Sequence, residues 1–309
     1  MTRDKTKTMN ATWSANAEFF EYTSAANPQL PKIEVKGFPA SLHQSKETIV
    51  LPLDLSKSLK LAYPATGPSL LANYIHINAT EKIKTSALSS SQVFFIIRGK
   101  GKSETPQGIL EWSEGDFFAL PFHQELTHSA EQDTAIYWVH DGPLLSYMGA
   151  IPNKETFRPI FIPKELLQKE LAKVRKQNEG KDKNRNGILL GNPDCPMTKT
   201  ITPTMWSLYN LLPAQSKQKV HRHNSIALDY CVSAGENTFT LIGPKLDENG
   251  NIINPIRADW KPGAAFVTPP YWWHSHHNES NEDAIVLPVQ DAGLHTILQT
   301  LNIEFERGY

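Results

Sequence analysis

The sequence predicts an all-β protein in which two β-barrel domains follow an irregular N-terminal arm and are joined by a helical linker. Short runs rich in Val, Ile, Phe and Tyr fill residues 70–150 and return after residue 200, separated by Gly and Pro. Such runs are typical of antiparallel sandwiches and barrels. The string GDFFALPFHQ (115–124) is echoed by GAAFVTPPYW (263–272), which indicates an internal duplication. A chain of 309 residues also fits about two domains.

Changes in composition along the chain divide it into four predicted segments. Residues 1–65 form the arm, because scattered prolines interrupt the few apolar runs there. Residues 66–155 form the first barrel, 156–200 the linker and 201–309 the second barrel. In the linker, Pro163 can serve as the first residue of a helix. The following KELLQKELAKVRKQ carries one narrow apolar stripe on an otherwise charged surface, as expected of a solvated helix.

The composition argues against several classes of partner. Lys and Arg number 31 against 32 Asp and Glu, so no excess of positive charge is available to hold nucleic acid or an anionic membrane. No apolar run reaches the ~18 residues that a membrane span needs. The N-terminal residues lack the apolar core of a secretory signal. With Cys195 and Cys231 as the only cysteines, a disulfide framework is excluded and a cytoplasmic location is expected.

The most informative pattern is His221-Arg222-His223. Residues i and i+2 of a strand share a face, so both imidazoles would point the same way and form half of a transition-metal site. An H-x-H pair alone is a weak signal, because most such pairs are surface or packing histidines. A second histidine-rich string, GAAFVTPPYWWHSHHN (263–278), follows downstream on a β-type segment.

This second string resembles a signature motif of the cupin family, G-x5-P-x-G-x2-H-x3-N. The motif is matched at Gly263, Pro269, His274 and Asn278, and Tyr271 replaces its second Gly. The resemblance implies a cupin barrel in this half of the chain, with His274 as a metal ligand.

The first string resembles the other cupin motif, G-x5-H-x-H-x(3,4)-E-x6-G. It is matched at His221, His223 and Gly235, whereas Leu228 stands at the Glu position and the opening Gly is absent. The resemblance implies that His221, His223 and His274 together hold one divalent transition metal per chain.

A ligand set of three histidines without a carboxylate, with the third inside a Trp-His-x-His string, resembles that of the gentisate 1,2-dioxygenase branch of the two-barrel cupins, or bicupins. The strings HRHNSIALDY and PPYWWHSHHN carry this resemblance in the second half, and VFFIIRGKG and LEWSEGDFFALP carry it in the first. The implied fold is two cupin barrels, each a double-stranded β-helix or jelly roll. The implied activity is that of a mononuclear Fe(II) ring-cleaving dioxygenase, which would act with O2 on a small aromatic diol or hydroxy acid.

Three further residues are candidate catalytic side chains under this resemblance. His276 would shuttle protons beside the metal. Asp229 stands where the family has an Arg that handles the substrate carboxylate, and an Asp would repel such a group. If Leu228 points into the barrel, regular alternation points Asp229 outward. Asp291 is what remains of an acidic pair after the last strand, with Pro288 at the other position.

The order of the barrels also differs from the family, since the expected metal-binding cupin is the C-terminal one. The N-terminal cupin is expected to be metal-free, and His123 and His128 nearby cannot complete a metal shell alone. Its motif positions carry poor ligands, namely Gln92 at the Glu position, Thr85 and Ala87 or Ser86 and Leu88 at the first two His positions, and Leu126 at the third.

Several alternatives remain open at the level of sequence. Three imidazoles suit Fe(II), which the resemblance favours, but they also suit Zn, Ni, Mn and Cu. A non-oxidative metal cupin (an isomerase or lyase) and a non-catalytic bicupin that binds a small ligand are the alternative functions. A homo-oligomer is expected, most simply a C2 dimer.

Overall fold

Strands dominate the computed structural model of the chain, which describes residues 13–122, 125–179 and 186–306. His123 and the basic loop 180–185 lie outside the described residues. Of the described residues, those before Ile33 belong to one compact unit and those from Ile33 onward belong to another. No helix within the described ranges is long and apolar enough to cross a bilayer.

In the first unit, the short helix α1 (Tyr22–Ala25) is capped by Glu21. The Glu21 carboxylate accepts hydrogen bonds from the backbone N–H groups of Thr23 and Ser24, both at 2.9 Å. These bonds satisfy two of the donors that a helix start leaves unpaired.

The first half of the second unit begins with short elements and continues with a run of longer strands. Its strands are β1 (Gly37–Phe38), β2 (Ile49–Pro52), β3 (Leu71–Ile77), β4 (Lys82–Thr85), β5 (Ser91–Arg98), β6 (Lys100–Thr105), β7 (Gly108–Ser113), β8 (Phe117–Pro121), β9 (Leu126–Ala130), β10 (Thr134–His140) and β11 (Ile160–Ile162). Its helices are a 3-10 turn (Ala40–His43), α2 (Ser56–Leu59), α3 (Gly142–Met148) and α4 (Lys164–Asn178).

The second half repeats the order of the main strands. Its strands are β12 (Asn186–Leu190), β13 (Trp206–Leu212), β14 (Ser216–Lys217), β15 (His221–His223), β16 (Ala227–Ser233), β17 (Thr238–Gly243), β18 (Ile256–Asp259), β19 (Ala265–Thr268), β20 (Trp273–Asn278), β21 (Ala284–Gln290) and β22 (Ile303–Phe305). The helix α5 (Ala292–Ile297) follows β21, as α3 follows β10.

Four antiparallel sheets form two barrels. The first barrel pairs the sheet β11-β8-β5-β10-β3-β2 with the sheet β4-β9-β6-β7, and the second pairs β1-β19-β16-β21-β13-β12 with β18-β17-β20-β15-β22. The larger sheets have matching strand orders, so β5 corresponds to β16, β10 to β21 and β3 to β13. The predicted all-β, two-cupin-barrel fold is confirmed, and the matching orders support the internal duplication.

One strand of the first half belongs to the second barrel. β1 precedes the first barrel in sequence, but Gly37 pairs with Phe266 of β19 in the second barrel. β11 lies in the predicted linker and pairs with β8 of the first barrel. The arm and linker therefore also supply edge strands, which are too short to show a periodic pattern in the sequence. The predicted domain boundaries remain a proposal.

The linker helix α4 forms where the charged, striped segment predicts it. Pro163 precedes the first helical residue instead of occupying it, because its backbone is extended, with ψ at 151°. Leu167 and Leu171 are buried on one face of α4. The helix thus buries one narrow side and leaves its charged side exposed.

The main apolar core lies between the two larger sheets. Tyr137 of β10 stacks on Tyr230 of β16, with ring centroids 4.9 Å apart. Leu228 belongs to this same core, whereas Cys231 packs against Ile242 inside the second barrel. Alternate residues of β16 therefore face the core between the barrels and the interior of the second barrel.

Stacked aromatic rings fill the interior of the first barrel. Phe94 stacks on Phe118 at 4.6 Å between centroids and on Trp138 at 5.8 Å. These three side chains, here called the aromatic plug, are at most 3% exposed. By strand register, the corresponding residues of the second barrel are Asp229, Phe266 and Pro288.

Candidate metal centre

Two paired strands bring the histidines of the second barrel together. His221 of β15 lies directly opposite His274 of β20. The side chains of His221 and His223 are buried, whereas Arg222 between them is ion-paired with Glu304 of β22 at 2.6 Å. The predicted placement of both imidazoles on one face of a strand matches this alternation.

The same alternation along β20 turns His274 and His276 inward. His277 faces the other way, where its ring stacks on Phe239 with centroids 4.9 Å apart. Among the adjacent histidines at 276 and 277, only the first therefore faces the cluster. The four inward-facing histidines, His221, His223, His274 and His276, are called the histidine cluster below.

The imidazole rings of the histidine cluster are close neighbours. Ring centroids lie 4.2 Å apart for His221 and His274, 4.8 Å for His223 and His274, and 6.4 Å for His221 and His223. His276 lies 6.0 Å from His221 and 5.8 Å from His274. Ligand nitrogens of His221, His274 and His276 all fall within 4.8 Å of one another, which makes them another set that could share an ion.

Backbone carbonyls hold three of these rings in one orientation. The Nδ1 atoms of His221, His223 and His274 lie 2.9, 2.8 and 2.9 Å from carbonyl oxygens of Lys219, Ser225 and Trp272. A carbonyl oxygen can only accept, so Nδ1 must carry the proton. A neutral ring held in this way has its lone pair on Nε2, as in many histidine metal ligands.

Two hydrogen-bonded side chains, Ser225 and Gln290, support His223 further. The Ser225 hydroxyl lies 3.1 Å from His223 Nδ1 and 3.1 Å from Gln290 Oε1 on β21. Since the amide oxygen only accepts, Ser225 donates to Gln290 and its oxygen can accept from the histidine. Ser225 and Gln290 were missed from the sequence, because neither occupies a fixed position of the two motifs and their contact joins distant parts of the chain.

The chemistry of this donor set fits a divalent transition metal. Neutral imidazoles are common ligands of Fe, Zn, Ni and Cu, and buried carbonyl partners are usual behind such ligands. Three histidines would leave coordination positions for a small chelating molecule. His221, His223 and His274 remain the predicted ligands, and His276 is the additional imidazole of the cluster.

Asp229 faces the interior of the second barrel. It lies two residues before Cys231 on the same face of β16, is 3% exposed, and accepts a 2.7 Å hydrogen bond from the Thr268 hydroxyl. The expectation that alternation turns Asp229 outward is wrong, because Leu228 packs into the core between the barrels and not into its own barrel.

Asp291 directly follows β21, and the residues that its carboxylate contacts lie outside the histidine cluster. Its carboxylate accepts hydrogen bonds from the Ser69 hydroxyl at 2.6 Å and from the Ile226 backbone N–H at 3.0 Å, and it lies 3.8 Å from His295 Nε2. Burial raises the pKa of this carboxyl above its ordinary value. A catalytic role for Asp291 remains a prediction from sequence.

The first barrel carries different residues at the ligand positions. By strand register, Leu126 corresponds to His274 and Thr85 to His221, which fits the first of the two motif alignments. His128 corresponds to His276, and it is fully buried, which lowers its pKa to about 4. Thr85 and Leu126 supply no imidazole, so the expectation of a metal-free first barrel remains a prediction based on these residues and the aromatic plug.

The comparisons with known proteins agree with the two-barrel fold. The chain is 26% identical over 129 residues to gentisate 1,2-dioxygenase 1 of Aquipseudomonas alcaligenes, covering 42% of this chain and 33% of that protein. It is 27% identical over 126 residues to gentisate 1,2-dioxygenase of a Streptomyces species, covering 41% and 32%. The matches therefore span about a third of these relatives' lengths. No family model matches the chain.

Among solved structures, salicylate 1,2-dioxygenase from Pseudaminobacter salicylatoxidans superposes with a TM-score of 0.74 at 14% identity, covering 100% of both chains. The two barrels thus give the chain a bicupin fold, and the buried histidines form a candidate metal centre in its second barrel. Among proteins of this fold, it resembles the gentisate and salicylate 1,2-dioxygenases.

Proposed function

We propose that this bicupin holds one divalent transition metal on His221, His223 and His274, and that it is a ring-cleaving dioxygenase of the gentisate dioxygenase type. Fe(II) is the favoured metal, and a small aromatic diol or hydroxy acid is the favoured substrate class. The observation that carries the proposal is the set of three buried imidazoles whose Nδ1 atoms face backbone carbonyls. The resemblance to gentisate dioxygenases supports this metal and reaction class.

When bound, the metal would supply Lewis-acid and redox chemistry to an oxygen-bearing aromatic compound. The chain supplies the surroundings. His276 would form a hydrogen bond with a substrate oxygen or transfer a proton to or from it. Asp229 would place negative charge at the barrel wall. Cys195 and Cys231 are both free thiols, which favours the reducing cytoplasm as the place of action.

Oxygen consumption under defined metal loading tests the proposal. The full-length protein would be stripped of metal, loaded with one equivalent of Fe(II) without air, and mixed with O2 and one aromatic compound at a time. Gentisate, salicylate, catechol, hydroquinone and 2-aminophenol form a panel that varies both the chelating groups and the charge. We expect O2 uptake with loss of aromatic absorbance for at least one compound.

The control for this experiment is His277→Ala, which removes an outward-facing histidine from the same strand. It should consume O2 like the wild type, whereas His223→Ala should not. Metal binding without O2 uptake across the panel would overturn the dioxygenase proposal and leave a non-oxidative metal cupin. Absence of metal binding would overturn the site itself.

A further inference from the structure

His276 is held from behind by two buried side chains from neighbouring strands. The Thr240 hydroxyl on β17 lies 2.7 Å from His276 Nδ1 and 2.8 Å from the indole nitrogen of Trp260. Thr240 is 0% exposed and Trp260 is 2% exposed. The Nδ1 atom of His276 therefore faces a hydroxyl, whereas the Nδ1 atoms of the other three rings face carbonyl oxygens, and that of His223 faces the Ser225 hydroxyl as well.

The hydrogen bonds of the Thr240 hydroxyl determine where the proton of a neutral His276 lies. An indole N–H only donates, so the Thr240 oxygen accepts from Trp260. Within the described residues, the remaining recorded partner of the Thr240 hydroxyl is His276 Nδ1. The buried hydroxyl proton is satisfied if Thr240 donates it to Nδ1, and leaving it unpaired would be costly. His276 then carries its own proton on Nε2.

The cluster consequently presents two kinds of imidazole. His221, His223 and His274 direct Nδ1–H at carbonyls and have lone pairs on Nε2. His276 has the opposite tautomer and presents an N–H. Distance does not separate them, because ligand nitrogens of His276, His221 and His274 lie within 4.8 Å of one another. The tautomer does.

The same arrangement occurs in the first barrel, at the corresponding register. Ser103 lies 2.7 Å from His128 Nδ1 and accepts a hydrogen bond from the indole of Trp112 at 2.8 Å. His128 Nε2 lies 2.9 Å from the Thr85 hydroxyl, which can accept from it. This triad is present where the three ligand histidines are replaced, so it does not depend on a neighbouring metal site.

We propose that Thr240 and Trp260 are positioning residues that hold His276 as an Nε2–H donor and thereby keep it from becoming a fourth metal ligand. The inference deepens the proposed function, because its consequence depends on the metal centre formed by the other three histidines. The open coordination positions of that centre are then preserved by a threonine hydroxyl that touches neither metal nor substrate.

Nitrogen NMR of the full-length chain labelled with 15N-histidine tests the tautomer directly, before and after one equivalent of Zn(II). In the wild type, the one-bond N–H coupling of His276 should lie on Nε2 in both samples. In Thr240→Val, the proton of His276 should lie on Nδ1 or be distributed between Nδ1 and Nε2. Thr240→Ser should keep it on Nε2, because serine occupies the equivalent position at Ser103. Ser103→Ala is the matched control, since it removes the equivalent hydroxyl and should leave His276 unchanged.

Co(II) binding then tests the consequence. We expect Thr240→Val to bind Co(II) about tenfold more tightly than the wild type and to change its visible spectrum, because a fourth imidazole can now coordinate. Thr240→Ser and Ser103→Ala should both bind as the wild type does.

An Nδ1 proton on wild-type His276, or an unchanged tautomer in Thr240→Val, would overturn the inference whether or not the metal centre exists. An unchanged Co(II) affinity and spectrum in Thr240→Val would overturn its metal-related part. Failure of the wild type to bind either metal would instead count against the proposed function, while the zinc-free NMR result would still decide the tautomer.

Discussion

Asp141 and Asp291 occupy corresponding positions in the two barrels, and each binds the other half of the chain. Asp141 follows β10, accepts from the backbone N–H groups of Ser90 and Ser91 in its own half, and accepts a 3.0 Å bond from the Thr204 hydroxyl in the second half. Asp291 follows β21, binds the Ile226 N–H in its own half, and accepts from the Ser69 hydroxyl in the first half. The two carboxylates therefore fasten the barrels together reciprocally.

Removing either carboxylate should destabilise the fold. Asp291→Ala leaves the buried Ile226 N–H without its acceptor, which should lower the free energy of unfolding by about 1–3 kcal/mol. Asp291→Asn keeps an oxygen acceptor and should preserve the fold, as measured by urea denaturation. A stable Asp291→Asn that no longer consumes O2 would instead support the catalytic role predicted from sequence.

The same pair predicts a dependence of stability on pH. Burial raises the pKa of Asp141 and of Asp291 above the ordinary value of 3.8, so the folded chain retains protons that the unfolded chain has already lost. The contribution of each group to stability should therefore fall as pH rises from about 3.8 through the raised folded pKa. Asp141→Asn should remove the part of this pH dependence of the free energy of unfolding that Asp141 contributes, as measured by urea denaturation at several pH values. An unaltered slope would contradict the assignment.

Metal content provides the simplest test of the ligand set. We expect about one divalent transition metal per chain by mass spectrometry, with loss of metal in His221→Ala, His223→Ala and His274→Ala. His276→Ala should retain its metal, because its tautomer presents a proton. Two metals per chain would contradict the assignment of the first barrel, and unchanged content in all three ligand variants would exclude the site.

Asp229 should select against negatively charged substrates. At an effective dielectric constant near 20, two like charges ~4 Å apart repel by about 4 kcal/mol, so a screened part of this energy can still change affinity many-fold. Compounds without a carboxylate should therefore be preferred, and Asp229→Asn should raise kcat/KM for the carboxylated compounds. Efficient cleavage of gentisate by the wild type would contradict this prediction.

The aromatic plug should matter for stability but not for metal binding. Phe94→Ala removes a ring stacked between Phe118 and Trp138, and such a substitution in a packed interior costs about 3–5 kcal/mol. Urea denaturation should show this loss while metal content stays at the wild-type value. A Phe94→Ala protein of normal stability would show that the rings are loosely packed.

The oligomeric state can be measured independently of activity. A homodimer should scatter light as twice the 34.7 kDa chain across a range of concentrations. A constant monomer mass would contradict the expectation, which rests on exposed sheet edges and on the prevalence of C2 symmetry.

Much of the fold could be predicted because its signals are local. Short β-type runs mark the strands, and the resemblance to the cupin motifs groups His221, His223 and His274 in one site. The direction of Asp229 could not be predicted, since it depends on a second barrel packing against the outer face of β16. Thr240 and Trp260 were missed for a similar reason, because strand pairing between β17, β18 and β20 brings them to His276.

The pairing of β1 with the second barrel has a consequence for how the chain folds. Gly37 and Phe38 are synthesised well before their partners Phe266 and Ala265, which lie more than 220 residues further along the chain. During that interval the segment has no native strand to pair with, and the second barrel cannot complete its larger sheet until both halves exist. Such long-range pairing slows folding. Completion of the second barrel should therefore wait on a segment that is synthesised before the first barrel.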